Sequence, residues 1–183
     1  MNIVNGLNGD SDLLGNNKTG FWYDNSAAMD FAANHSQRGT YGIYGLFDQV
    51  LIPFGERQSN RGLGVFGSTI FSTDPSVAQM PFFFTAGIAA RGMLPSRPAD
   101  SCGLGIIYGQ FSHDLQDAQE QEQRLNPSTL IQDHELALEL TYRFSLYNNS
   151  VFFQPDLQYI AHPGDSGKYD NAIVLGCRLG ISF

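Results

Sequence analysis

The sequence predicts an all-β protein whose antiparallel strands form the wall of a transmembrane β-barrel. Three observations lead to this fold class: few charges among many rings and glycines, a recurrent alternation of apolar and polar residues, and a final segment that alternates up to the terminal Phe183. Charged residues make up 15% of the 183 residues, against about a quarter in soluble domains. No run approaches the ~18 apolar residues of a transmembrane helix, so strands would cross the membrane.

The last segment, Asn171–Phe183, has the clearest alternation. Its odd-numbered residues from Ile173 to Phe183 are apolar, whereas the even-numbered ones are mostly small or polar and include Arg178. Residues two apart lie on the same face of a strand. The segment therefore predicts a strand whose apolar face suits a tilted membrane crossing of ~9–11 residues.

Two similar strands are predicted before it, at Asp133–Phe144 and Val151–Ile160. In the first, Leu, Tyr and Phe alternate with Glu, Thr and Arg; in the second, apolar residues alternate with Gln and Asp. Pro155 interrupts the second strand, and proline cannot donate a hydrogen bond to a neighbouring strand. We therefore expect a bulge or an irregular hydrogen-bond site there.

Five earlier segments alternate less cleanly because glycines break them, and glycine within a strand marks a bend, a bulge or a close approach. They are Lys18–Asn25, Thr40–Leu51, Gly62–Ser72, Pro81–Arg91 and Cys102–Phe111. The sequence thus predicts eight strands.

The connections between these strands differ in length, which indicates their sides. Bacterial barrels have short periplasmic turns and longer external loops. The tight turn at 148–150 is therefore expected to be periplasmic, and the loops Ser112–Gln132 and His162–Asp170 external. The turns Pro53–Arg61 and Gly92–Ser101 are long for the periplasmic side, and the sequence leaves their side open.

Aromatic residues cluster near predicted strand ends. The clusters are Phe21, Trp22 and Tyr23; Phe82, Phe83 and Phe84; and Tyr147, Phe152 and Phe153. Rings at the two membrane interfaces are typical of transmembrane barrels, so we interpret them as interfacial girdles. The alternative is the core of a soluble β-sandwich.

Residues for catalysis or metal binding are not apparent. The four histidines lie in predicted loops or strand ends without metal-ligand or triad spacing. Glu135 and Glu139 are two pleats apart, ~13 Å, too far for a glycosidase pair. Cys102 and Cys177 fall on strands separated by two others, too distant for a disulfide. We predict no enzyme, cofactor or metal, and the net charge of −8 argues against nucleic acid.

Several motifs resemble the carbohydrate-selective outer-membrane porins of Gram-negative bacteria, the glucose-porin type. The longest is QPDLQYIAHPG at 154–164, followed by NAIVLGCRLGISF at 171–183. Shorter ones are ELTY at 139–142, RGLGVF at 61–66 and ARGMLP at 90–95. The resemblance extends from about Lys18 to the end of the chain.

The resemblance implies facilitated diffusion of sugars such as glucose through a sixteen-stranded barrel, of which 18–183 would be the C-terminal half. Residues 1–17 are polar and expected to be loop-like or disordered, with no signal peptide. The implied location is the outer membrane, with membrane lipid and, through Phe183, the barrel-assembly machinery as partners. A monomer and a homotrimer both remain open.

The resemblance also implies a polar lumen wall that contacts sugars. Its residues here would be Glu135, Glu139, Arg143, Gln154, Asp156, Gln158 and Arg178. Two alternatives are a soluble or secreted carbohydrate-binding β-sandwich and a secreted hydrolase on a β scaffold. The terminal Phe183 favours the porin over the first, and the lack of a catalytic set argues against the second.

Overall fold

The computed structural model describes residues 13–55, 61–165 and 170–181, and within them one antiparallel sheet of eight strands. Each strand pairs with the next in sequence, and β1 and β8 form the two open edges. The strands are β1 Gly15–Asp30, β2 His35–Pro53, β3 Gly62–Ser72, β4 Phe82–Arg91, β5 Ser101–Gln110, β6 His134–Leu146, β7 Val151–Ala161 and β8 Ala172–Ile181. Phe183 lies outside the described residues.

All eight predicted strands are confirmed, and the largest differences are in β1 and β2. β1 begins at Gly15, within the segment predicted to be loop-like, and continues to Asp30. A register shift interrupts its pairing with β2 between Asp24 and Ala27. Such a bulge changes the phase of the alternation, which explains why the pattern predicted an end at Asn25.

A helix, α1 (His113–Leu125), lies in the loop that was predicted without one. It begins after Ser112, whose hydroxyl accepts hydrogen bonds from the backbone N–H groups of Asp114 and Leu115. The same hydroxyl donates to the Pro75 carbonyl at 2.5 Å, and Ser112 is completely buried. This serine therefore caps the helix and ties it to the β3–β4 loop.

The predicted irregularity at Pro155 is confirmed. Pairing between β6 and β7 is interrupted between Thr141–Asp156 and Phe144–Phe153, without a change of register. The Thr141 hydroxyl donates to the Pro155 carbonyl at 3.1 Å. A side chain thus satisfies a backbone acceptor at the gap in the ladder.

The two faces of the sheet differ in polarity. Directly paired residues of antiparallel strands point to the same side, so the register assigns each side chain to a face. One row of paired apolar residues crosses six strands on what we call the outward face. The row consists of Val65, Ile88, Leu104, Leu140, Leu157 and Leu175. The opposite side, called the lumen face, carries most of the polar and small residues, together with some apolar ones such as Leu46 and Ile70.

The apolar residues of the outward face are exposed rather than buried. Leu175 is 80% exposed and Leu140 54%, and Val77 and Ala90 are the only buried apolar residues in the described part of the chain. A β-sandwich would bury such a face against a second sheet. The described residues form a single layer, so the sandwich alternative is not favoured.

The topology also places the two turns whose side was open. In an up-and-down sheet every second connection lies at the same end, so the β2–β3 and β4–β5 connections share an end with the tight β6–β7 turn. We call this the inner end. The β1–β2 turn, the β3–β4 loop, the α1 loop and the β7–β8 loop share the other, the outer end.

Candidate functional site

Aromatic and histidine rings form a continuous row on the outward face near the outer end. The rings of Phe84 and Tyr108 are 5.5 Å apart, those of Tyr108 and His134 5.8 Å, and those of His134 and His162 5.8 Å. Phe82 adjoins Phe84 at 6.0 Å. Amphipathic rings collect where hydrocarbon meets headgroups, so this row indicates a membrane interface.

A second row of rings borders the same face at the inner end. Tyr142 lies 4.5 Å from Phe144, whose ring lies 6.2 Å from that of Phe153. His134 and Phe144 are ten residues apart on β6, about 34 Å along a strand. At a strand tilt of 35–45° this corresponds to about 25 Å of height, the height of the apolar band of a transmembrane barrel.

The β4–β5 loop covers part of the inner row. The guanidinium of Arg97 lies 5.6 Å from the centre of the Phe144 ring and donates to the Asp100 carboxylate. Asp100 is 4% exposed and also accepts from the Tyr142 hydroxyl and the Ser145 N–H, both at 2.9 Å. Burial opposes its ionisation, but these donors prevail, so the pKa of Asp100 is below its ordinary value.

The lumen face carries all seven predicted sugar-contacting residues. Three of them lie on β6, three on β7 and one on β8, where it pairs directly with a residue of β7. They are Glu135, Glu139 and Arg143 on β6; Gln154, Asp156 and Gln158 on β7; and Arg178 on β8, paired with Gln154. The register assigns all seven to the same side of the sheet. Their common face is therefore established, and their contact with sugar remains a prediction.

Neighbouring groups hold six of these residues, among them Gln154, which donates to the Thr141 hydroxyl at 3.0 Å, and Glu135, which accepts from the Gly164 N–H at 2.9 Å. Gln158 Nε2 donates to Glu139 at 3.1 Å and to Asp156 at 3.4 Å. The guanidinium of Arg143 lies 3.8 Å above the centre of the Phe152 ring, an attractive cation–π geometry.

Sequence reasoning missed a second polar group on the lumen face of β1–β4. Asn16 donates to Asp48 at 3.1 Å, and the hydroxyls of Ser68 and Thr85 are 2.8 Å apart. Lys18 lies beside them on the same face. Their strands gave no clear alternation, because the neighbours of Asn16, Lys18 and Ser68 are themselves glycine, asparagine or threonine.

Aromatic rings also lie on the lumen face, each directly paired with a glycine. The pairs are Trp22 with Gly42, Tyr44 with Gly20, Phe66 with Gly87 and Phe152 with Gly180. The structure thus divides the predicted aromatic clusters: Phe153 contributes to the outward girdle, and Trp22 and Phe152 face the lumen.

Other classes of site have no support in the described residues. Within them, no three His, Cys, Asp or Glu side chains are grouped closely enough to hold a metal ion, and Cys102 and Cys177 are unlinked. The one α-helix of this part of the chain is too short and polar to span a membrane.

A single sheet with a ring-bordered apolar face and a polar opposite face defines the wall of a transmembrane β-barrel. Comparison with known proteins then identifies the family. The model of the carbohydrate-selective porin, OprB family, matches residues 1–183, and the chain belongs to that family. The family is one of transport channels rather than enzymes.

Two relatives show how much of a barrel this chain represents. Porin B of Pseudomonas aeruginosa is 23% identical over 96% of this chain and 42% of its own length. The high-pH structure of Pseudomonas putida OprB superimposes with a TM-score of 0.85 and 24% identity, over 92% of this chain and 44% of that one. The chain therefore shares the fold of the solved structure and spans less than half the length of both proteins.

Proposed function

We propose that this chain forms part of the wall of an outer-membrane channel through which sugars diffuse passively. The observation that carries the proposal is the contrast between the faces of one sheet: an exposed apolar band about 25 Å high between two rows of rings, and a polar face behind it. The family match supports carbohydrate as the substrate class.

The proposed mechanism uses no covalent chemistry. Carboxylates such as Glu139 accept hydrogen bonds from sugar hydroxyls, Arg143 and Arg178 donate to them, and Gln154 does both. Each contact replaces one that the sugar makes with water, so its net contribution is small. Many weak sites along a wall favour passage over trapping.

The open edges of the sheet bear on how the channel is completed. β1 and β8 each present an unpaired edge, and unpaired backbone groups are not tolerated in hydrocarbon. These edges must therefore pair, either with each other or with further strands from the same protein or a partner. A pore for sugar needs further strands, because eight strands close around an interior that side chains fill. We propose Phe183 as a contact for the assembly machinery and leave a homotrimer open, both as extensions of the proposal.

Reconstitution of the protein in its closed-barrel form tests the proposal. Proteoliposomes should swell in isotonic glucose at a rate well above that of protein-free vesicles. Vesicles that conduct KCl but do not swell in glucose would contradict a sugar channel. A protein that is monomeric in water without detergent and shows no heat-dependent gel mobility would contradict a membrane barrel.

A further inference from the structure

We infer that Phe66 is the stacking platform of a pyranose-binding subsite on the lumen face, opposite Glu139, Arg143 and Gln154. The inference rests on the proposed function and makes it specific, because it names one site, one ring and the cyclic form of the sugar. It comes from an aromatic side chain that lies beside a gap in the row of lumen side chains.

The gap follows from the register. Phe66 pairs with Gly87, Gly87 with Gly105, and Gly105 with Glu139. Phe66 and Glu139 thus lie in one cross-strand row, three strand spacings or about 14 Å apart. The two positions between them have no side chain.

The Cζ and Cε1 atoms of the Phe66 ring lie over the first of these glycines. A Cβ atom at Gly87 would be 2.5 Å from the ring carbon Cζ, so the ring occupies the space of the missing side chain. At Gly105 the same ring carbon would be 3.9 Å from a Cβ. The ring is 38% exposed, so part of its surface is open on the lumen face.

A hollow of about 450 Å³ occupies the remaining gap, and Phe66, Glu139, Arg143 and Gln154 line it. This volume lies in the range of small-molecule sites. The donors and acceptors are preorganised, since Glu139 is bonded to Gln158, Gln154 to Thr141, and Arg143 is held on the Phe152 ring.

The chemistry of these walls selects a pyranose. One face of a pyranose ring presents C–H groups, and an aromatic face attracts such weakly positive hydrogens through its quadrupole. The hydroxyls project from the rim of the sugar, where Glu139, Arg143 and Gln154 offer acceptors and donors. An acyclic polyol of similar size has the hydroxyls but no flat C–H face.

The sheet contains a matched control for the ring. Phe47 lies over Gly67 as Phe66 lies over Gly87, and the two rings are exposed to similar extents, 42% and 38%. The register places Phe47 on the outward face and Phe66 on the lumen face. Phe47→Ala removes the same side chain from the same kind of pair without touching the lumen.

The test measures glucose and sorbitol flux through the closed barrel in proteoliposomes as a function of concentration, beside KCl conductance. Phe66→Ala should raise the glucose concentration for half-maximal flux about threefold to tenfold. Phe66→Trp should restore it, and Phe47→Ala should leave it unchanged. Sorbitol flux should not respond to any of the three changes. Phe66→Leu keeps apolar volume over Gly87 and should behave as Phe66→Ala if the alanine variant fails to fold.

The outcomes separate this inference from the proposed function. An unchanged half-maximal concentration for glucose in Phe66→Ala or Phe66→Leu, in channels that pass glucose, would overturn the subsite alone. An equal shift in Phe47→Ala would also overturn it, because the effect would then be structural. Wild-type channels that conduct KCl and exclude glucose would overturn the proposed function itself.

Discussion

Phe47 and Phe66 occupy the same local structure on opposite faces of the sheet. Each is directly paired with a glycine on the next strand, Gly67 and Gly87, and each ring covers that glycine. In both cases the ring protects backbone that a glycine would leave bare. A ring over a paired glycine therefore covers the pairing of two strands on either face. The face on which it lies determines whether the exposed part of the ring meets lipid or the lumen.

The same comparison extends to the charged residues. The lumen face of β6–β8 carries carboxylates, amides and guanidinium groups in alternate positions, whereas the outward face between the ring rows is aliphatic. Where a charged pair does occur on the outward side, as Arg97 and Asp100, it belongs to a loop at the inner end and both partners are bonded. On β6–β8 the charged side chains of the outward side are thus confined to the edge of the apolar band.

A charge in the middle of the outward face should have the largest effect on stability. Leu140 lies between the two ring rows on β6, and Ala137 lies on the lumen face of the same strand. Leu140→Arg should destabilise the folded barrel by about 2–4 kcal/mol, and Ala137→Arg by less than about 1 kcal/mol. Urea-dependent unfolding in lipid vesicles measures both. Equal losses would contradict the assignment of faces.

Loss of the Asp100 carboxylate should have the next largest effect. Asp100→Ala leaves the Ser145 N–H and the Arg97 guanidinium without this acceptor, and a lost acceptor of this kind costs about 1–3 kcal/mol. We expect earlier thermal unfolding and faster proteolysis of the β4–β5 loop, with glucose flux unchanged. An altered sugar selectivity would contradict the separation of this loop from the lumen.

The Asp100 carboxylate also makes the stability of the β4–β5 loop depend on pH. The pKa of Asp100 is lower in the folded protein than the ~3.9 of the unfolded chain. Its contribution to the free energy of unfolding is therefore complete above the unfolded pKa and disappears as the pH falls through the folded pKa. Proteolysis of the loop should therefore accelerate below about pH 4. Asp100→Asn should remove most of this pH dependence, and an unchanged profile would show that another group is responsible.

A pair of adjacent glycines sharpens the comparison on the lumen face. Gly87 and Gly105 pair directly, but a Cβ at Gly87 would collide with the Phe66 ring and with the Leu104 carbonyl oxygen, whereas one at Gly105 would have ordinary contacts. Gly87→Ala should destabilise by about 1–2 kcal/mol. Gly105→Ala should be neutral or stabilising by about 0.5 kcal/mol. Similar midpoints in urea for the two variants would contradict the position of the ring.

The number and order of the strands were accessible from the sequence because alternation is a local pattern. β3 was predicted with both ends correct. Parity separated the seven polar positions on β6–β8 from the apolar face of each strand, and the family resemblance assigned them to one lumen wall. The bulges in β1 and β2 and the helix after Ser112 were not predicted. A serine cap followed by Asp114 and a glutamine-rich segment was a usable helix signal, but no apolar periodicity accompanied it.

The candidate subsite was beyond the sequence for a different reason. Phe66 and Glu139 are separated by 73 positions, and only the register of three strand pairs brings them into one row. The glycines between them indicated a close approach, as expected of glycine in strands. The group that makes this approach is a ring from the neighbouring strand, and no local pattern specifies it.

We expect one face of this sheet to meet lipid and the other to meet water. Spin labels placed singly at residues 153 to 158 of β7, in a background with Cys102 and Cys177 replaced by serine, test it in reconstituted membranes. We predict that collision with oxygen is greatest at 153, 155 and 157, and collision with a water-soluble nickel complex at 154, 156 and 158. Collision rates with oxygen and with the nickel complex that rise and fall together along β7 would contradict this assignment of faces. Access of the nickel complex to all six residues would contradict it as well.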